Sequence, residues 1–207
     1  MKEGGKEIEE SVRRVQKGDT EAFEQIILYY EKPIFGLMCR VLGNDTDAED
    51  TAQEVFIAAF RSIRKFRGES RFSTWLYRIA VNHALNRRKR ISIEEKRQAS
   101  AYFTPASIDG KDQEGDNDVL SRLPDTRPNP ETRASQKETR EQIEKGLRHL
   151  KADDALLILL HDLQEFPYGE VAQVLDIPLG TVKSRLHRAR KALRKRLAPY
   201  FTEKVTR

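Results

Sequence analysis

Between Tyr168 and Lys191 two apolar-patterned stretches meet at Asp176-Ile177-Pro178-Leu179-Gly180, and this junction restricts the fold more than any other part of the chain. Val171, Ala172, Val174 and Leu175 give the first stretch one apolar face. Ala172 is small, which suits a close crossing of two helix backbones. Asp176 falls where the chain must turn sharply, and Asp is among the few residues besides Gly that tolerate a left-handed conformation. Pro178 cannot continue the first helix, and Gly180 frees the backbone before the second. Thr181 is in place to cap that second helix. Val182, Leu186, Ala189, Leu193 and Leu197 then recur at steps of three and four, the spacing of a buried helical stripe. The pattern predicts a helix-turn-helix with Lys183, Ser184, His187, Arg188 and Lys191 on the exposed side.

That exposed side carries the chemistry duplex DNA requires. Arg and Lys donate to guanine O6 and N7, and Ser bonds to base or phosphate. In such motifs the start of the second helix enters the major groove. No acidic residue occurs from Ile177 to Thr202, whereas Lys183, Arg185, Arg188, Arg190, Lys191, Arg194, Lys195 and Arg196 are basic. A solvated basic helix facing an acidic protein is the plainer alternative. It leaves the preceding helix and turn without a purpose.

Composition points the same way. Only 38% of the 207 residues are hydrophobic and 34% are charged, a balance suited to small helical units with much exposed surface. The net charge of +5 suits a polyanionic partner. Cys39 is the single cysteine, which excludes an intramolecular disulfide and a cysteine zinc cage. MKEGGKEIEE lacks the apolar run of a signal peptide, and no stretch reaches the roughly 20 apolar residues of a membrane span. A soluble, cytoplasmic protein is the expectation.

The chain before the motif also reads as helical. Ile8, Val12 and Val15 are spaced for a short amphipathic lead-in over 1–17. Gly18-Asp19-Thr20 marks a break. Ala22, Phe23, Ile26, Ile27, Tyr30, Ile34, Leu37, Met38 and Val41 follow at helical spacing, with Pro33 expected to kink or split the element. After Gly43-Asn44-Asp45, Thr46 and Glu49 form a candidate capping box. The next helix buries Ala48, Ala52, Val55, Phe56, Ala59, Phe60 and Ile63. Its other face begins with Asp47, Glu49, Asp50 and Glu54 and ends with Arg61, Arg64 and Lys65. This order suits the helix dipole, and equally suits docking of a basic partner.

The loop Phe66–Phe72 holds two aromatics and two arginines. Ser73 is in place to cap a helix from Thr74 to about Arg90 that ends in Arg87-Arg88-Lys89-Arg90. Cations suit a helix C-terminus. Four in a row exceed that need, and aromatics beside arginines are a usual means of holding unstacked bases.

From about Ile91 to Thr132 the periodicity dissolves. Asp109 to Glu131 holds seven acidic and three basic residues. As a flexible linker, about 40 residues would span on the order of 35 Å, with a stretched limit above ~130 Å. Periodicity returns with Ile143, Leu147 and Leu150, then with a largely buried helix from Asp153 to about Leu163. The fold class expected is all-α. Two small helical domains, 18–90 and 133–201, are joined by a long flexible linker over 91–132, with a tail at 202–207, and the carboxy-terminal domain contains the helix-turn-helix.

No catalytic constellation emerges. His161 and Asp162 are adjacent on a helix and point apart. There is no Gly-rich phosphate loop. His83 and His187 lie amid basic residues without an orienting carboxylate, and Cys39 sits on an apolar helix face. No enzyme activity, metal or cofactor is expected.

Three blocks in this order are similar to a known family. FRGESRFSTWLYRIAVNHALNRRKR (Phe66–Arg90), DAEDTAQEVFIAAFRSI (Asp47–Ile63) and YGEVAQVLDIPLGTVKSRLHRARKAL (Tyr168–Leu193) resemble the promoter-melting segment, the polymerase-binding helix and the domain 4 helix-turn-helix of extracytoplasmic-function (ECF) sigma factors of bacterial RNA polymerase. The resemblance spans about 18–200. It implies a transcription initiation factor that docks on the β′ clamp helices and β flap of core polymerase and recognises −35 and −10 promoter DNA. An inhibitory anti-sigma factor is implied as well. Asp47, Asp50, Gln53, Glu54 and Phe56 would meet the polymerase. Phe66, Arg67, Phe72, Ser73 and Asn82 would hold a flipped −10 base, with Arg87, Arg88 and Arg90 along the phosphates. Lys183, Ser184, His187 and Arg188 would lie near −35 base edges, with Arg185, Arg190 and Lys191 as positioning contacts. Pro167 and Gly169 depart from the family's usual residues at the start of the motif, and Leu150-Lys151-Ala152 lacks the common Leu-Pro. A stand-alone helix-turn-helix regulator is the alternative.

Overall fold

The computed structural model describes residues 4–101 and 130–205, with side-chain surroundings for 5–97 and 138–201. Every regular element among them is helical. The greater part of the expected linker and the end of the tail lie outside the described residues.

The amino-terminal domain comprises α1 (Gly4–Gln16), α2 (Phe23–Leu42), α3 (Asp45–Ser62) and α4 (Phe72–Ala101). Helix α1 is more than a lead-in. Ile8, Val12 and Val15 are buried in the domain core. Gln16 Nε2 donates to Ile63 O at 3.0 Å and to Phe66 O at 2.7 Å, tying α1 to the loop before α4. Pro33 neither splits α2 nor ends it. The stripe Phe23, Ile26, Tyr30, Ile34, Leu37, Met38 and Val41 is buried along the helix's whole length. Each such side chain gains about 1.5–3 kcal/mol on burial, which together outweighs the ~3 kcal/mol cost of one interior proline.

Gly43 ends α2 in a left-handed conformation, φ 76°. Asn44 then caps α3: its Oδ1 accepts from the backbone N–H of Thr46 at 2.9 Å and of Asp47 at 3.2 Å. The expected Thr46–Glu49 capping box is therefore displaced, because the chain enters its first turn one residue after Asn44. Ser73 is likewise inside the first turn of α4 rather than its cap; the helix opens at Phe72, and Trp75 N–H reaches back to Arg71 O at 3.1 Å. Helix α4 also outruns the apolar pattern by a further 11 residues, 91–101. Glu94, Glu95, Lys96 and Arg97 are good helix formers, so propensity continues the helix where periodicity has ended.

The carboxy-terminal domain comprises α5 (Pro130–Arg148), α6 (Ala152–Ile158), a wide π-turn (Leu159–Leu163), α7 (Tyr168–Leu175) and α8 (Leu179–Val205). Pro130 stands at the first helical position, where its missing N–H costs nothing. The expected single helix from Asp153 to Leu163 is thus two elements. Asp176 has φ 52° and ψ 49°, the left-handed turn expected of it, and its N–H bonds to Ala172 O. Thr181 is not a cap. Helix α8 starts two residues earlier, and the carbonyl of Pro178 accepts from Thr181 N–H at 2.8 Å. Val182, Leu186 and Ala189 are buried as predicted. Where α8 crosses α5, a Cβ on Gly146 would stand 2.9 Å from Leu193 Cδ1, so any larger residue there would push the end of that side chain aside.

The two domains pack through α4 and α7. Thr74 Oγ1 donates to Glu170 Oε2 at 2.8 Å, and Tyr77 OH to Gln164 Oε1 at 2.7 Å. Arg71 pairs with Glu170 at 3.2 Å. The Tyr77 and Phe166 rings meet at 4.8 Å between centroids.

Candidate nucleic-acid interfaces

The face of α8 is the clearest candidate. Lys183, Ser184, His187, Arg188 and Lys191 are all exposed on it, while Val182, Leu186 and Ala189 anchor the opposite side. Ser184 Oγ donates back to Thr181 O at 3.2 Å, which leaves its lone pairs outward. No carboxylate pairs with Lys183, Arg188 or Lys191 among the contacts of the described residues.

Two predicted members of this face are engaged elsewhere. Arg185 lies 3.9 Å from Asp153 of α6 and lines the seam between the domains. Arg190 forms a two-point ion pair with Asp162 of the π-turn; Nε reaches Oδ2 at 3.0 Å and Nη2 reaches Oδ1. The Asp162 hydrogen bonds are the main reason its guanidinium is held charged more firmly than usual.

In the amino-terminal domain, Phe66, Phe72 and Trp75 form a mutual cluster with ring centroids 5.3–5.6 Å apart. Phe72 is 5% exposed and is a core residue, with no ring face open to a base in this arrangement. Phe66 is half-buried, Ser73 is partly exposed and Arg67 is exposed. Asn82 is exposed on α4 and lines a cavity of ≈ 380 Å³ at the domain seam, together with Arg78, Asp153, Asp176 and Arg185. A candidate −10 residue and a candidate −35 residue thus face one cavity.

The basic end of α4 is divided in its roles. Arg87 is tied to Asp47 of α3, Nε donating to Oδ1 at 3.0 Å with Nη2 on the same oxygen. That bond is the chief cause of the upward shift of its guanidinium. Arg88 Nη1 donates to Val41 O at 3.3 Å, across the C-terminal turn of α2. Arg90 is exposed. Asp47 is therefore brought to Arg87, one predicted polymerase residue to one predicted DNA residue.

Along α3, Asp50, Gln53 and Glu54 are exposed and Phe56 is partly buried. Glu54 Oε2 lies 3.3 Å from His83 Nδ1 of α4. Ile57 and Phe60, at 50% and 41% exposure, continue the stripe of Asp50 and Gln53 at steps of four and three. The sequence reading assigned Phe60 to the core and passed over Ile57. Phe60 keeps part of that core role, its ring meeting Phe23 of α2 edge-on at 5.0 Å between centroids, while Ile57 is half exposed. Gln16 and Glu170 were passed over as well, because their partners are distant in the chain.

Burial pushes the Cys39 thiol up to about 12, so it remains a thiol and serves packing. Among the described residues no group of three His, Cys, Asp or Glu side chains could hold a metal ion, and no helix is long and apolar enough to cross a membrane.

The family model for Sigma-70 region 2 matches residues 26–92, and that for Sigma-70, region 4 matches 140–193. The chain is 35% identical over 192 residues to the RNA polymerase sigma-H factor of Pseudomonas aeruginosa, covering 93% of this chain and 94% of that one. It is 36% identical to the ECF RNA polymerase sigma-E factor of Escherichia coli, covering 91% and 93%. It is 37% identical to the ECF RNA polymerase sigma factor SigW of Bacillus subtilis, covering 92% and 96%. Two solved structures share the fold. CnrH in complex with the cytosolic domain of CnrY has a TM-score of 0.61 at 20% identity, covering 91% of this chain and 96% of that one. The sigma factor RpoE in complex with the anti-sigma factor NepR from Bartonella quintana has a TM-score of 0.60 at 23% identity, covering 85% and 96%.

Proposed function

This chain belongs to the extracytoplasmic-function class of bacterial RNA polymerase sigma factors, and from that premise we propose how its two domains divide the work of initiation. It is a transcription initiation factor that binds core RNA polymerase, directs it to −35/−10 promoters and promotes DNA melting, under the control of an anti-sigma factor.

The amino-terminal domain docks on the clamp helices through the outer face of α3. Asp50, Gln53 and Glu54 supply polar contacts there, and Ile57 and Phe60 supply an apolar anchor. Asp47 and Phe56 shape that face from within, Asp47 by holding Arg87. The loop Phe66–Ser73 with Arg67, and Asn82 beyond it, takes up the −10 strand, and Arg90 follows its phosphates. Arg88 braces α4 against α2. The carboxy-terminal domain reads the −35 duplex with Lys183, Ser184, His187 and Arg188, and Lys191 positions it on the backbone.

The observation that carries this reading is the exposed row Lys183, Ser184, His187 and Arg188 on a helix whose opposite side is buried. A face so fixed can meet base edges in register. The two promoter elements lie on the order of 60 Å apart, somewhat under two DNA turns, so one small domain cannot reach both. Purified core polymerase with this protein should initiate from promoter fragments of its own genome. Core polymerase that gains no start site from the addition would overturn the reading.

A further inference from the structure

We propose that Asp162 is a positioning residue for promoter recognition: it holds Arg190 off the DNA phosphates and thereby fixes the pose of the reading helix. The proposal rests on α8 being the helix that reads the −35 duplex.

Arg190 stands seven residues after Lys183 and three after His187, two turns and one turn further along the same strip of α8. By position it should be a phosphate contact. Its guanidinium is instead held at two points by the Asp162 carboxylate, Nε to Oδ2 and Nη2 to Oδ1. The Tyr168 side chain also favours the charged form of the same guanidinium, after the larger effect of Asp162. Tyr168 is itself fixed, since its ring stacks on His161 with centroids 4.4 Å apart, and His161 Nδ1 lies 2.8 Å from Phe166 O.

The π-turn, the start of α7 and the middle of α8 thus converge on one cation. Neither Asp162 nor Arg190 is deeply buried, with side-chain exposures of 34% and 44%. An ordinary ion pair at such exposure would contribute little. The planar fork on both carboxylate oxygens is the exception, because it fixes direction as well as distance. What it fixes is the rotation of α8 about its own axis relative to the π-turn. That rotation decides which base edges Lys183, Ser184, His187 and Arg188 can meet. Asp162 also cancels one positive charge at the margin of the DNA face, so Arg190 leaves no counterion to be released.

The test is the salt dependence of holoenzyme closed complexes on a promoter fragment carrying a mapped start site. Each phosphate contact contributes about 0.9 to the slope of log K against log salt. Arg190→Ala should lower affinity and blunt discrimination among −35 base changes while leaving the slope unaltered. Asp162→Asn and Asp162→Ala should steepen the slope by about 0.9 as the freed Arg190 finds a phosphate. The double charge exchange Asp162→Arg with Arg190→Asp should restore base discrimination lost in either single change. A slope made shallower by about 0.9 in Arg190→Ala, or unchanged in both Asp162 variants, overturns the proposal. Arg188→Ala is the control for the underlying reading. If it, Lys183→Ala and His187→Ala all leave −35 discrimination intact, α8 is not the reading helix and both conclusions fall.

Discussion

Thr74 Oγ1 donates to Glu170 Oε2 at 2.8 Å, joining side chains 96 residues apart and linking α4 to α7, the first helix of the helix-turn-helix. Thr74 is fully buried beneath this bond, and Arg71 reaches the same carboxylate. The two DNA-binding modules therefore hold one another in the free chain.

Glu170→Ala should loosen that seam. A hydrogen bond to a charged acceptor is worth roughly 1.5–3 kcal/mol, so the closing equilibrium constant should fall by one to two orders of magnitude. Small-angle scattering of the free protein should report a larger radius of gyration. An unchanged radius would mean the remaining contacts, Tyr77 with Gln164 and Phe166 among them, suffice to keep the seam closed.

Ile57→Asp should weaken binding to core polymerase by about tenfold or more, because it places a charge in the apolar half of the α3 stripe proposed to dock there. The circular dichroism spectrum should not change, since Ile57 is half exposed. Wild-type affinity in a fluorescence titration would remove Ile57 from that interface.

Asn82→Ala should impair promoter opening more than duplex binding, as read by permanganate reactivity of the −10 thymines. Normal reactivity would exclude a contact to a flipped base. Asn82 is exposed, so the change should leave the fold intact.

On the −35 side, Arg188→Ala should cost roughly 1–3 kcal/mol and change base preference, whereas Lys191→Ala should weaken all sequences evenly. Competition binding with single-base variants of the element distinguishes the two. Equal losses on every sequence from Arg188→Ala would move it from the bases to the backbone.

Thr51→Val addresses stability alone. Thr51 Oγ1 is buried on α3 with no hydrogen-bond partner. Valine has nearly the same shape without the stranded hydroxyl, so the variant should be more stable by about 1 kcal/mol in urea unfolding. A loss of stability would show that the hydroxyl finds a partner in solution.

The helical architecture and the recognition face were legible because both depend on local spacing. Val182, Leu186 and Ala189 are buried and Lys183, Ser184, His187 and Arg188 are not, as a step of three and four requires. Asp176 turns left-handed because few other residues could at that point. The misplaced caps were local too. Thr46, Ser73 and Thr181 all sit in plausible sequence contexts, and a shift of one or two residues in the helix start changes which one caps. The ties were not legible. Arg87, Arg185 and Arg190 looked like DNA cations because their carboxylates, Asp47, Asp153 and Asp162, lie 28 to 40 residues away in sequence. Periodicity says which side of a helix a cation occupies, and nothing about what waits there.

The cavity shared by Asn82 and Arg185 has a kinetic consequence. While the seam is closed, a free molecule meets chromosomal DNA with the outer face of α8, and Asn82 and Arg185 stay turned to the cavity. One short contact of this kind dissociates quickly, since no second grip retains it. The bulk of the genome then competes poorly for the protein, and the pool stays available for capture by polymerase. Were the polymerase to hold the domains apart, both would act on one DNA molecule, and residence time rather than initial encounter would select the promoter.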